Sequence, residues 1–554
     1  MGGGILDLVA TGVQDVILIG NPEKTFFKTK YSKYTNFGMQ KFRIDYNGLR
    51  TLRLSEESEF KFKIPKYADL LLDTYVVLNL PMIWSPIYPP QNSSEEWRGY
   101  EFQWIKNIGS QIIKEISITS GGQVIQKFSG SYIQHLISRD YSESKKQLFN
   151  EMTGNIPDLY DPANVNHRQH MYPNAFHTDN QNGPHPSIEG RKLYIPIHAW
   201  FSNTSKTAFP LCSLYNNDLH IIVKLRPISE IFTIRDVEDT MNSFPRVAPN
   251  FTNPTMAFYR FLQPPPSIEL NDSDYDDKRI LWNADVHLYS TYCFLSEDEG
   301  SLFKSRDQQY LIKTVQEHEF NNIVGSKKLK LVTNGLVSNW MMTFERNDIH
   351  LRNEWSNYTN WPYDYLPHNV KLAPYEGDYK FNNYSDSCYP FGLGPGMNPN
   401  HNETNMFITD IYNNENQKKI LQQLGIIFNG EYRENLMDVG IYEYMEPFYK
   451  SKGSRDNGLF TYNFSLNSDI HETQPSGAVN MSVINKIELE LFTHTPILNE
   501  DAKIFTVCDE NGTVIGINKP SWIIYNYTYT MRLYEEKYNI LNFQSGNCNL
   551  MYTL

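Results

Sequence analysis

The chain has 554 residues, a formal net charge of −13 and a pI near 5.6, and 14% of its side chains are aromatic. That length admits two large domains, while the acidic balance argues against an exposed nucleic-acid groove, which needs clustered Lys and Arg to displace counterions from phosphates. No stretch reaches the roughly 18 uninterrupted apolar residues of a membrane helix, and the first residues lack the basic region and cleavage site of a secretory signal. Five widely spaced cysteines, Cys212, Cys293, Cys388, Cys508 and Cys548, predict free thiols in a reducing compartment, not a disulfide framework or a zinc ribbon. For a chain expected to stay in the cytosol, the Asn-x-Ser/Thr triplets at Asn92, Asn203, Asn250, Asn271 and Asn357 read as chance occurrences in an Asn-rich sequence.

In chain order, Ile5, Leu6, Val9, Val13, Val16 and Ile17 recur at spacings of three and four, which predicts a short amphipathic helix in an N-terminal arm of residues 1–24. A β-rich unit is expected over 25–227, with strands near 59–64, 72–80, 113–128, 192–201 and 218–226. Ser131 and Gln134 predict a capping box for one helix before Leu148, and the polar residues 150–190 read as a long exposed loop. Residues 228–266 follow Arg226-Pro227 and carry Pro245, Pro249, Pro254 and Pro264-Pro265-Pro266. Proline fixes φ and removes a donor, so this segment is expected to be an extended connector between two similar bodies. The second body, 267–554, is expected to begin with a strand at 282–294, where Ala284, Val286 and Leu288 alternate with polar residues. A helix capped by Ser296 should follow, then strands at 310–320, 327–345, 440–448, 459–466, 481–494, 504–508, 514–518, 521–534 and 537–543. Residues 347–418, rich in Asn, Tyr, Pro and Gly, form a surface insertion without periodicity.

Motifs that would carry chemistry fail on inspection. His167, His170, His177 and His185 are irregularly spaced in a Pro- and Asn-rich loop, where a metal needs ligands converging on one point. The string Asp272, Asp274, Asp276, Asp277 resembles a calcium loop, but Asp277 stands where Gly is required and Asn283 where the bidentate Glu belongs. His318-Glu319 lacks the second His of a zinc protease, and Gly392, Gly394 and Gly396 do not sit between a strand and a helix. The expectation is therefore a non-enzyme: no catalytic residue, no cofactor, no metal.

The run Asp15-Val-Ile-Leu-Ile-Gly20-Asn-Pro-Glu-Lys-Thr25-Phe-Phe-Lys28 followed by Tyr34-Thr-Asn-Phe-Gly-Met39 resembles the N-terminus of the major capsid proteins of nucleocytoplasmic large DNA viruses. Ala208-Phe-Pro-Leu211 to Arg226-Pro227, Gln474-Pro-Ser-Gly477 with Asn480-Met-Ser482, and Tyr538-Asn-Ile-Leu541 to Ser545-Gly546 resemble later segments of the same family, in order and in both units. The resemblance implies an all-β double jelly roll: two eight-stranded antiparallel sandwiches with long loop insertions and a few short helices. It also implies homotrimeric, pseudo-hexagonal capsomers tiling an icosahedral shell over an internal membrane, in virions assembled in the host cytoplasm. The N-terminal arm would then meet minor capsid proteins on the inner side, and 150–190 and 347–418 would form the outer towers.

Two other readings stay open on sequence alone. A double jelly-roll amidase acting on glycans would hold paired carboxylates in a cleft between the rolls. A glycan-binding surface protein would use the aromatic residues Trp355, Tyr358, Trp361, Tyr363 and Tyr365 as a platform.

Overall fold

A computed structural model of the protein describes residues 10–552 apart from 90–96, 169–170, 179–182, 240–243, 245, 280–281, 362–369, 372–405, 408–417, 496–504, 509–513 and 519–526. Side-chain alternation dictates the architecture. In Leu219–Leu225 the residues Leu219, Ile221, Val223 and Leu225 are buried while His220, Ile222 and Lys224 are partly exposed, and Ile487–Thr493 repeats the pattern. A strand that buries one face needs a second sheet to cover it, and two such sheets make a sandwich.

The first sandwich contains β1 (Phe37–Asp45), β2 (Ser58–Lys63), β3 (Leu70–Leu80), β4 (Ile113–Ser120), β5 (Gln123–Phe128), β6 (Arg191–Pro196), β7 (Leu219–Leu225) and β8 (His287–Leu295). One sheet runs β1, β8, β3, β6 and the other β2, β7, β4, β5, all antiparallel. The second contains β9 (Gln308–Ile323), β10 (Ser326–Leu331), β11 (Leu336–Arg346), β12 (Leu421–Phe428), β13 (Glu431–Asp438), β14 (Leu459–Asn463), β15 (Ile487–Thr493) and β16 (Tyr529–Gln544). Its sheets run β9, β16, β11, β14 and β10, β15, β12, β13. Adding eight to each label of the first sandwich gives the order of the second. Both are jelly rolls, and the fold is a double jelly roll.

Pairing also fixes where the connections emerge. Leu80 at the end of β3 pairs with Arg191 at the start of β6, and His287 at the start of β8 pairs with Val77. The long connections 81–112, 129–190 and 226–286 therefore touch the same end of the first roll. In the second roll Arg346 pairs with Tyr529 and Thr343 with Leu459, so the connection that leaves β11 and those that enter β14 and β16 open at one end likewise. These two crowns meet, because Asn353 donates to the carbonyls of Ser229 (2.8 Å) and Phe232 (2.9 Å).

Several expectations change. The strand assigned to the opening of the second body, 282–294, is the last strand of the first: β8 lies between β1 and β3. Residues 228–266 are consequently no connector between bodies. Their prolines do restrict them to two short strands, Phe232–Arg235 and Arg246–Val247, but Phe232, Phe258 and Phe261 are buried, with Phe102 and Phe232 stacked at 4.4 Å. The step between rolls is Ser296–Asp307, most of it the helix Glu297–Ser305. In the arm only Val13–Asp15 and Val16–Ile19 take single helical turns, and residues 10–40 are exposed; Ile5, Leu6 and Val9 lie outside the described residues. Residues 439–450 form a π-helical turn at Ile441–Met445 and a short helix at Glu446–Lys450 where a strand was expected. The hairpin β12–β13, with Asn429 and Gly430 at φ 52° and 93°, sits where no strand was expected. Of the strand expected at 521–534, where Ile523, Tyr525, Tyr527, Tyr529 and Met531 alternate along one face, the first two lie outside the described residues and the last three are buried.

Replacing Ile221 by Ala is expected to cost about 2–5 kcal/mol, because its side chain is fully buried between the sheets. The same change at Ile222, one position on and on the opposite face, is expected to cost about 1 kcal/mol or less. Equal shifts in guanidinium midpoint for the two variants would contradict the register.

Candidate functional site

Within 129–190 lie α1 (Gly130–Asp140) and α2 (Glu143–Thr153). The cap of α1 is Ser129, whose extended backbone lets its hydroxyl accept from the Tyr132 amide at 3.3 Å. Ser131 and Gln134, the expected capping box, lie inside the helix and both bond the side chain of Gln111. Gly130 is required here: a Cβ would stand 1.8 Å from the carbonyl oxygen of Ser110. The helix start is thereby pressed onto the first roll while its far end enters the second.

That far end is where the two rolls are joined. Arg139 is 1% exposed and donates to both Asp140 oxygens at 2.7 Å, to Asn339 Oδ1 at 3.0 Å and to Glu536 Oε1 at 3.0 Å. Tyr132 donates its hydroxyl to Glu536 at 2.9 Å, and Ser468 donates to Asp140 at 3.2 Å. Asn339, Ser468 and Glu536 belong to the second roll; the rest belong to the first. The last carbonyls of α1, which have no partner within the helix, accept from the second roll's backbone, Ser138 from Arg455 N at 3.0 Å and Arg139 from Gly453 N at 2.7 Å. A Cβ at Gly453 would lie 2.4 Å from Ser138 O, so this approach also needs glycine.

Burial works against ionising Glu536, but the charges of Arg139 and Lys313 overcome it and hold the carboxyl below its ordinary range. For Asp140 burial outweighs the same Arg139 and the value is raised. Such a network is costly to break from one side, because a carboxylate would remain buried without its cation. Beside it His135, fully buried on α1, has no hydrogen-bond partner on either ring nitrogen and packs between Tyr358 (4.8 Å) and Tyr534 (5.4 Å). Burial, with Arg532 nearby, pushes its pKa down to about 3.

Two further contacts extend the seam. Toward the crown the Arg226 guanidinium stacks on Trp355 at 3.9 Å, and Trp355 donates to Glu230 O at 2.8 Å. Toward the opposite end Asn216 donates to the carbonyls of Gly546 (3.0 Å) and Ser545 (2.8 Å), and Phe209 meets Phe543 edge-on at 5.2 Å. Separate strands were expected at 521–534 and 537–543; Tyr529–Gln544 is instead one continuous strand, β16, with Glu535, Glu536 and Lys537 buried in its middle and Glu536 partnered across the seam.

The residues weighed for chemistry do not converge. His167 and His185 are exposed, His177 contacts Pro265 O, and His170 lies outside the described residues. Asp272 is held by Tyr259, Arg260 and Lys278, and Asp277 by Arg279. Among the described residues no three His, Cys, Asp or Glu side chains are grouped to hold a metal ion. Of the aromatic platform, Tyr358 is buried and Trp355 is spent on the seam; Tyr363 and Tyr365 lie outside the described residues. Cys212, Cys293 and Cys548 are free thiols. The seam was not among the sequence-based expectations, although two charged residues together at 139–140, the only Asp, Glu, Lys or Arg in that helix, were a signal for it.

Residues 25–260 match the family described as major capsid protein N-terminus, and residues 299–548 match large eukaryotic DNA virus major capsid protein. The chain belongs to this family. Major capsid proteins of Phaeocystis pouchetii virus and Paramecium bursaria Chlorella virus 1 are 24% and 22% identical to it, with 100% of each chain covered. Probable capsid protein 4 of Acanthamoeba polyphaga mimivirus is 23% identical, over 89% of this chain and 93% of that one. Among solved structures, the Faustovirus major capsid protein covers 96% of this chain and 94% of its own with a TM-score of 0.58 at 11% identity. A chain of the PBCV-1 virus capsid covers 96% and 100% with a TM-score of 0.57 at 16% identity. This major capsid protein is thus a structural component of the virion shell and not an enzyme.

Arg139→Ala is expected to destabilise the protein by about 3–5 kcal/mol at neutral pH, read from denaturant midpoints, since it strands two buried carboxylates. His135 gives a separate test. Its folded pKa is depressed, so the unfolded state takes up the proton first and stability falls as pH drops below about 6.5. At pH 5 that contribution is about 2 kcal/mol, and His135→Leu is expected to remove most of it from the difference between pH 7 and pH 5. An unchanged pH dependence in that variant would show that the ring is solvated.

Proposed function

We propose that three copies of this major capsid protein form a pseudo-hexagonal capsomer, and that capsomers tile an icosahedral shell. The observation that carries this reading is the pair of rolls with one strand order, joined side by side through a buried seam. Two similar bodies per chain turn a three-fold ring into six comparable corners. Cyclic closure makes each contact heterologous, one roll meeting the other roll of the next copy. A patch on the second roll supports it further: Tyr444, Met445, Phe448 and Tyr449 are 53%, 58%, 79% and 77% exposed around Glu446–Lys450. Apolar side chains clustered this way mark a surface that another protein covers.

The crowns formed by the long connections then face outward, 150–190 among them; residues 353–356 instead pack on the first roll, and 362–369, 372–405 and 408–417, expected in the towers, lie outside the described residues. The N-terminal arm, exposed through Met39, reaches minor capsid proteins on the inner side, above an internal membrane. The acidic body makes no contact with the genome, and assembly takes place in host cytoplasm.

Native mass measurement with negative-stain imaging tests the capsomer. The expected particle is three-fold, at about three times the chain's 64.6 kDa, and Phe448→Asp with Tyr449→Asp is expected to shift it toward the monomer. A monomer at high protein concentration would defeat the reading.

A further inference from the structure

One cluster in the second roll is not accounted for by a shell role. Lys537, on β16, is 3% exposed, and its ammonium lies 3.0 Å from Glu535 Oε1, whose residue is fully buried. The same Nζ donates to the side-chain carbonyl of Gln316 on β9 and reaches Asn334 Oδ1 at 3.4 Å. Register places Gln316 directly opposite Glu535 and Thr314 opposite Lys537, so the three side chains share one face of the pair β9–β16. Glu535 is oriented by Trp340 Nε1 at 3.2 Å and by the Thr333 hydroxyl, with His318 at 3.7 Å. Trp340 and Val337, the latter opposite Lys537, wall the site on the core side.

We propose that Lys537 and Gln316 form an intramolecular isopeptide bond, with Glu535 as the proton-transfer group. An amine attacks a carboxamide only when it is neutral, held against the carbonyl carbon and provided with an acid for the leaving nitrogen. The hydrogen bond to Gln316 Oε1 brings Nζ to the carboxamide group, and burial favours the other two conditions. Burial lowers the Lys537 pKa against the attraction of Glu535, and burial raises that of Glu535 against Lys537 and its other hydrogen bonds. The pair is thereby biased toward amine and carboxylic acid.

In the reaction Lys537 passes one proton to Glu535, and the Nζ lone pair forms a bond to Gln316 Cδ. Glu535 relays a second Nζ proton to the carboxamide nitrogen, whose bond to Cδ breaks with its electron pair leaving on ammonia. The proton retained by Glu535 departs with the ammonia as ammonium, restoring the carboxylate. Nothing is oxidised or reduced, and no co-reactant is needed. Gln316 is partly exposed and Asn334 exposed, so the ammonia has a route to solvent. The product ties the first strand of the second roll to its last.

The test is the intact mass of the recombinant full-length chain under denaturing conditions, with a protease map. The expected result is a chain about 17 Da lighter than its sequence, the mass of one ammonia, and a branched peptide joining Gln316 to Lys537. Gln316→Ala, at a partly exposed position that leaves the core intact, and Lys537→Arg are each expected to restore the full mass. Glu535→Gln is expected to leave the link unformed in protein that still elutes as the wild type does. A wild-type chain at its full sequence mass, or a loss mapped to Asn334 or any other residue, would overturn the proposal.

Discussion

A guanidinium with no access to water must be surrounded by acceptors, and Arg139 finds them only where the two rolls meet. Asp140 comes from its own helix, Glu536 and Asn339 from two strands of the second roll, and Ser468 from a neighbouring loop. Separating the rolls would leave this cation and two carboxylates desolvated without partners, or require them all to be rehydrated together. The rolls are thus coupled by a requirement for charge satisfaction as well as by apolar contact. Such geometry is specific, since Gly130 and Gly453 each permit an approach that a single methyl group would prevent.

The same coupling explains how a chain of repeated topology behaves as one tile. A jelly roll limits the open edges that would otherwise pair with other sheets, and its connections emerge at the two ends, the longest of them in the crown and 197–218 and 464–486 at the other end. The flanks are left for contacts between copies. The crowns are bound to each other through Asn353 and Trp355, so insertions can vary in length above that layer without disturbing the sheets. Membership in the major capsid protein family at only 22–24% identity to its relatives fits this arrangement. Alternating buried positions and a few glycines must be kept, while most surface residues are free to change.

Local pattern carried much of the architecture into the sequence. Period-two alternation around 219–225 and 487–493 marked half-buried strands because the covering sheet tolerates nothing polar on that face. Family motifs near both termini marked the kind of roll. Where local and distant signals competed, the local one misled. Prolines in 228–266 made a connector of what is a packed crown loop, and the strand expected at 440–448 is helical, with Tyr442 reaching back to Leu424 O at 3.0 Å.

By itself, then, the sequence determined that the protein is acidic and rich in half-buried strands, because these follow from charge and side-chain period, and its family resemblance implied the paired sandwiches. Only the tertiary structure decided that 287–295 closes the first roll, that Glu535, Glu536 and Lys537 lie inside rather than outside, and which glycines are indispensable. Apart from Gly130, which answers to Ser110, each of those depends on a partner more than a hundred residues away, and no short window along the chain contains both members of such a pair.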